Sequence, residues 1–96
     1  MTAPDTFVAV DRRWWLSNTG GIVVTGVLAA VTGRPALQRL FHTAVAIHVG
    51  EALYTYGAAR RAGFTTSAPR WALQTLGVGF PSLMALRDAR QTASAP

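Results

Sequence analysis

Leu40 to Ala59 is a run of twenty residues whose only formal charge is Glu51. At ~1.5 Å per residue a helix of that length matches the ~30 Å hydrocarbon core of a bilayer, which puts Glu51 near the midplane. An ionised carboxylate there costs on the order of 2.5–3.5 kcal/mol on insertion scales, so it is kept only when paired, protonated or used. His48 is the nearest available partner. Three residues advance a helix by about 300°, so both side chains lie on one face, with Ala44 and Thr55 extending the stripe. That stripe is expected to face protein rather than lipid.

Apart from Asp5, the other charges fall into clusters (Asp11, Arg12, Arg13; Arg34, Arg39; Arg60, Arg61, Arg70; Arg87, Asp88, Arg90) that separate three nearly charge-free runs. With 14% of residues charged and 50% apolar, the charges are too few to solvate a globule of 96 residues. The pattern predicts an all-α fold, a three-span transmembrane helical bundle that forms one membrane domain. Its spans are expected at about 14–33, 37–61 and 69–87, with flexible ends over 1–10 and 91–96. The net charge of +5 rests on nine arginines and no lysine. Those arginines flank apolar segments instead of sharing one surface, and the aromatic residues lie in or beside the same segments, which argues against a nucleic-acid partner and for the bilayer. Arginine without lysine, with abundant alanine and glycine, suggests a GC-rich bacterial genome and a multi-pass protein of the cytoplasmic membrane. No cysteine is present, which excludes disulfides and thiolate metal sites.

Arg12, Arg13, Trp14 and Trp15 form a basic-aromatic boundary at the start of the first run. Thr25 and Ala29, Gly26 and Ala30, and Ala29 and Gly33 are small residues spaced four apart, suited to close helix approach. A cleavable signal peptide is the rival reading of this run, but two further apolar runs follow where a secreted domain would be needed. Gly33 can close the first helix and Pro35 can open the second. Gly63 stops the second, and Pro69 can sit in the first turn of the third. The third run, Trp71 to Leu86, has sixteen residues without charge, short for a span. Pro81 cannot donate to the residue-77 carbonyl, so a kink near Gly77 and a carbonyl in need of a partner are expected. With three spans the arginines divide five against four between the two sides, favouring a cytoplasmic amino terminus by a small margin.

Ile47-His48-Val49-Gly50-Glu51-Ala52-Leu53-Tyr54, the Gly63-Phe64-Thr65 turn, Trp71-Ala72-Leu73-Gln74-Thr75 and Gly79-Phe80-Pro81-Ser82-Leu83 occur in an order that resembles the transmembrane protein 254 family, small integral membrane proteins of animals and bacteria. The resemblance covers Phe41 to Arg90. The amino-terminal third departs from it, because animal members have a longer connection before the His-Val-Gly-Glu helix. The resemblance implies three spans and supplies no activity.

The candidate ligand-binding residues are Glu51, His48, Tyr54 and Gln74, and the catalytic candidates among them are Glu51 and His48. In a low-dielectric setting such a pair could pass a proton to a lipid substrate, with Tyr54 and Gln74 orienting it. The simpler account is structural, with Glu51 protonated or paired to His48 and bonded to Gln74 or to the carbonyl freed by Pro81. No metal site is expected, since His42 points about 240° away from His48 and only two donors converge. No cofactor is called for. The favoured function is an accessory or packing subunit, either in a homo-oligomer or beside a larger membrane protein. The alternative is a small membrane enzyme or a lipid or sterol binder that uses the Glu51–His48 pair.

Overall fold

The computed structural model describes residues 6–94, and every regular element among them is helical. Asp11 starts the first, its carboxylate accepting from the Arg13 N–H at 2.9 Å. α1 (Arg12–Trp14), a single π turn (Trp15–Thr19) and α2 (Gly20–Thr32) join into a continuous rod, Arg12–Thr32. Among the described residues this rod alone is long and apolar enough by itself to cross a membrane. Gly33, at φ 65°, returns its N–H to the Ala29 carbonyl at 3.0 Å, and Pro35 opens α3 (Pro35–Arg61) in the first turn, where no N–H is needed.

The other end of α3 is a Schellman cap. Gly63, at φ 94°, donates to the Arg60 carbonyl at 3.1 Å and Phe64 to the Ala59 carbonyl at 2.8 Å. The accompanying apolar contact is present too, because Phe64 and Ala59 are buried in one cluster. α4 (Ala68–Val78) then runs back along α3, with Pro69 in its first turn.

The third apolar run departs from expectation. α4 ends at Val78, Gly79 adopts φ 73° and ψ −130°, and α5 (Phe80–Ser94) begins at once. Pro81 thus stands in the first turn of a new helix, where its ring is tolerated, instead of kinking a continuous one. Side-chain bonds fix the direction of α5. The Thr75 hydroxyl donates to Ser82 Oγ at 2.9 Å and Gln74 Nε2 to the same oxygen at 3.1 Å, whereas a straight helix would hold these backbones ~10–12 Å apart. Leu86 is buried in the same cluster as Ala58, Ala59, Phe64, Ala68 and Trp71, with Ala62, Ala85 and Ala89 packed against it. α5 therefore folds back on α4 and runs parallel to the last turns of α3. The expected span over 69–87 is corrected to a helical hairpin with its tip at Gly79, built from half-helices of 11 and 15 residues.

Both ends also differ from expectation. Residues 1–5 lie outside the described residues, but the rest of the supposedly flexible arm is docked. Gln74 Oε1 accepts from the Val10 N–H at 2.9 Å, and its Nε2 reaches the Val8 carbonyl at 3.2 Å. Phe7 meets Trp71 edge-on, ring centroids 5.0 Å apart, and the Arg70 guanidinium lies 4.3 Å from the Phe7 ring. At the other end Gln91 to Ser94 continue α5 as helix, while the last two residues lie outside the described part.

The long axis of 54 Å thus has two zones. Between Gly79 and Gly63, α3, α4, α5 and the arm enclose Trp71, fully buried, whose Nε1 has no hydrogen-bond partner among the described residues. Beyond the tip only the rod and α3 continue. There Gly26 lies against the Phe41 ring so closely that a Cβ would come within 2.7 Å of it, and Ala29 is buried.

Candidate functional site at the hairpin tip

Ending one helix at Val78 and starting another at Phe80 strips donors from the last carbonyls of α4. The Gly79 N–H reaches the Thr75 carbonyl at 2.7 Å, the Ser82 N–H turns to the Gly79 carbonyl at 3.0 Å, and Pro81 has no N–H to give. In hydrocarbon an unsatisfied carbonyl costs several kcal/mol by the ~2–7 kcal/mol range for desolvating an amide. Three side chains from other helices meet the three carbonyls. His48 Nδ1 lies 2.8 Å from the Leu76 oxygen, the Thr19 hydroxyl donates to the Gly77 oxygen at 2.6 Å, and Asn18 Nδ2 donates to the Val78 oxygen at 2.6 Å.

The π turn makes this possible. Its wider turn carries Asn18 and Thr19, neighbours in sequence, onto neighbouring carbonyls, and π turns of this kind concentrate at sites with a task. The Ser17 hydroxyl bonds back to the Arg13 carbonyl at 2.9 Å. Gly77 completes the fit, because any Cβ there would run into the Trp15 ring.

His48 and Glu51 converge on Gly79. A Cβ at that glycine would sit 3.0 Å from His48 Cε1, 3.1 Å from His48 Nε2 and 3.2 Å from Glu51 Oε1. The Leu76 carbonyl can only accept, so Nδ1 carries a proton and donates to it, while Nε2 faces the glycine. The half-buried Glu51 carboxylate has no hydrogen bond or ion pair among the described residues. No third His, Asp or Glu there joins the two as a metal-ligand group. The arrangement can hold a proton between two groups or offer both to a donor from outside the chain.

The expected partners of Glu51 are elsewhere. Gln74 is buried and saturated by Val8, Val10 and Ser82, and Tyr54 is exposed on the wall of a cleft between α3 and α5. Thr55 donates to the Glu51 carbonyl of its own helix at 2.8 Å. The carbonyl freed by Pro81 is capped by Thr19, not by Glu51. Asn18 and Thr19 were not singled out from the sequence. Their signal was a polar pair next to Ser17 inside an otherwise apolar run. A second groove, of about 310 Å³ between the rod and α3, is lined by Ser17, Asn18, Thr25 and His48 among others.

Apolar side chains on the outer faces (Val31 78% exposed, Leu53 72%, Phe80 64%) and polar side chains turned inward onto a helix break define a small helical membrane protein. The chain belongs to the transmembrane protein 254 family, whose model matches residues 11–88 and so reaches back across the rod beyond the Phe41–Arg90 stretch. No curated protein and no solved structure matches it.

Proposed function

We propose that the rod and α3 cross a bilayer, that the α4–α5 hairpin re-enters from the Gly63 side, and that the protein serves as an accessory or packing subunit, in a homo-oligomer or beside a larger membrane protein. Arg39 and Arg60 bracket α3 at a separation of about 31 Å by helical rise, the thickness of a hydrocarbon core. Because α5 folds back, Arg61, Arg70, Arg87 and Arg90 belong to the Arg60 end, and Arg12 and Arg13 can snorkel toward it. The Gly79 tip is nine residues beyond Arg70, about 13 Å deep, beside Glu51. The absence of lysine supports a bacterial cytoplasmic membrane. Labelling of single cysteines tests the placement, the chain having none of its own. Thr6→Cys, Thr65→Cys and Thr92→Cys are expected to react from one side and Arg34→Cys from the other; a third crossing would move Thr92 to the side of Arg34.

The observation that carries the subunit reading is Glu51, a carboxylate at that depth with no donor among the described residues and with exposed Ile47 one turn before it. A neighbouring helix that supplies the donor removes a cost of the order of 2.5–3.5 kcal/mol. Three clefts lined by described residues are open furrows of about 230 to 340 Å³. The expected mass in native-lipid nanodiscs is a multiple of 10.2 kDa, or one chain with a stoichiometric companion protein. Glu51→Leu should release single chains. Single chains in both samples would overturn the reading.

The convergence of His48 and Glu51 beside Gly79, with His48 also on the wall of the rod–α3 groove, supports a second reading, a small membrane enzyme or a lipid or sterol binder. A lipid or sterol retained in equal amount with the protein and lost in Glu51→Gln would select it.

A further inference from the structure

Between α3 and α5 lies a cleft of about 230 Å³. Tyr54 and Ala58 line it from α3, and Leu83, Met84, Arg87 and Arg90 line it from α5. Residues 83, 87 and 90 follow one another along one side of α5, one turn apart. The cleft therefore changes along its length, apolar toward the Gly79 tip and cationic at the end away from it. Arg87 has no hydrogen bond or ion pair among the described residues. Arg60 is engaged elsewhere, donating to the Tyr56 hydroxyl at 3.2 Å. Within α3, α4 and α5, five arginines at this end (Arg60, Arg61, Arg70, Arg87, Arg90) stand against one acid, Asp88, a net charge of +4 for those helices there.

We infer that this cleft binds one anionic phospholipid, with part of an acyl chain against Leu83, Met84 and Ala58 and the phosphate on the Arg87 and Arg90 guanidinium groups. Guanidinium recognises phosphate through paired, planar N–H donors. A glycerophospholipid has the same order of apolar and anionic parts as the cleft, over the same direction, once the arginine end lies at the headgroups. The inference rests on that membrane placement. The last turns of α5 present carbonyls, which repel an anion, so the two arginines alone carry the headgroup contact.

The experiment uses the whole chain in nanodiscs of phosphatidylcholine doped with spin-labelled phosphatidylglycerol or spin-labelled phosphatidylcholine, and reads the ratio of motionally restricted label. Wild type should restrict the anionic lipid preferentially. Arg87→Gln with Arg90→Gln should lower that preference roughly tenfold, the scale expected for two basic residues at an anionic headgroup. Arg34→Gln with Arg39→Gln removes the same charge from the opposite end and should change it by less than about twofold. Met84→Trp fills the cleft without touching a charge and should lower it too. No preference in wild type, an equal loss in the Arg34 and Arg39 variant, or full retention in Met84→Trp would each overturn the inference. The Thr65→Cys labelling reads placement separately, so failure of the cleft and failure of the placement are told apart.

Discussion

From the Gly79 tip to the Gly63 turn the molecule is a packed bundle that buries Thr55, Gln74, Thr75 and Ser82 alongside Trp71 and Phe64; from the tip to Gly33 two helices meet with Ala29 as the one buried residue of the rod. Several polar groups of the wider half are satisfied across elements, by Thr75 with Ser82, Gln74 with the arm, and Thr19 with Gly77, although Thr55 bonds within its own helix. Those of the narrower half bond within their own helix, as Thr25 does to the Gly21 carbonyl at 2.7 Å and Thr32 to the Leu28 carbonyl at 2.7 Å. Tertiary structure in the wider half is thus specified by hydrogen bonds with few alternative partners. The narrower half is two cylinders with apolar outer faces, held by close approach at Gly26.

The comparison breaks most sharply at two glycines that share a positive φ. Gly79→Ala places a side chain in a conformation nearly reserved for glycine and against His48 and Glu51, so unfolding in detergent should show a loss of roughly 1–3 kcal/mol from backbone strain alone, with more from crowding. Gly33→Ala has open space around its Cβ and should cost about 1 kcal/mol. A larger loss at Gly33 would mean that the narrow half governs stability.

Two threonines sharpen the comparison at smaller scale. Thr19→Val leaves the Gly77 carbonyl unpaired and should cost about 1–2 kcal/mol, with faster amide exchange around Phe80. Thr25→Val removes a hydroxyl from a carbonyl of its own helix and should cost less than about 0.5 kcal/mol. Equal effects would deny the tip its interhelical lock.

The smallest effect is at the start of the rod. The Arg13 N–H, and then the Arg13 side chain 3.4 Å away, hold the Asp11 carboxyl below its ordinary 3.8. A value lowered on folding means that the ionised form caps the helix. The contribution is complete above 3.8 and is lost as pH falls through the lower folded value. Amide exchange at Arg13 and Trp14, corrected for the intrinsic rate, should rise below that pH and do so at all pH values in Asp11→Asn relative to wild type.

Local punctuation was legible in the sequence. Gly33 with Pro35, Gly63, and Pro69 act where their conformational preferences place them, since turns and caps depend on residues a few positions apart. His48 and Glu51 were legible as a pair on one face for the same reason, and so was the orphaned Gly77 carbonyl. The identity of its partner was not, because Thr19 lies 58 residues away and helical periodicity says nothing about which helix a face will meet. The reversal at Gly79 was misread as a kink. Its signs were present: sixteen uncharged residues too short to span, and Arg70 and Arg87 almost equidistant from Gly79. The bonds of Gln74 to the arm were not legible, because the arm has no periodicity to reveal its docking.

Trp71 gives the wider half an optical signature. Its indole is sealed from solvent against Phe7 and Phe64, and its N–H has no acceptor among the described residues. Excited-state relaxation around such a ring is small, so it should emit at the blue end of the tryptophan range, while Trp14 and Trp15 stand exposed at the start of the rod. With those two replaced by phenylalanine, emission reports a single ring, and a red shift times the parting of the amino-terminal arm from the hairpin.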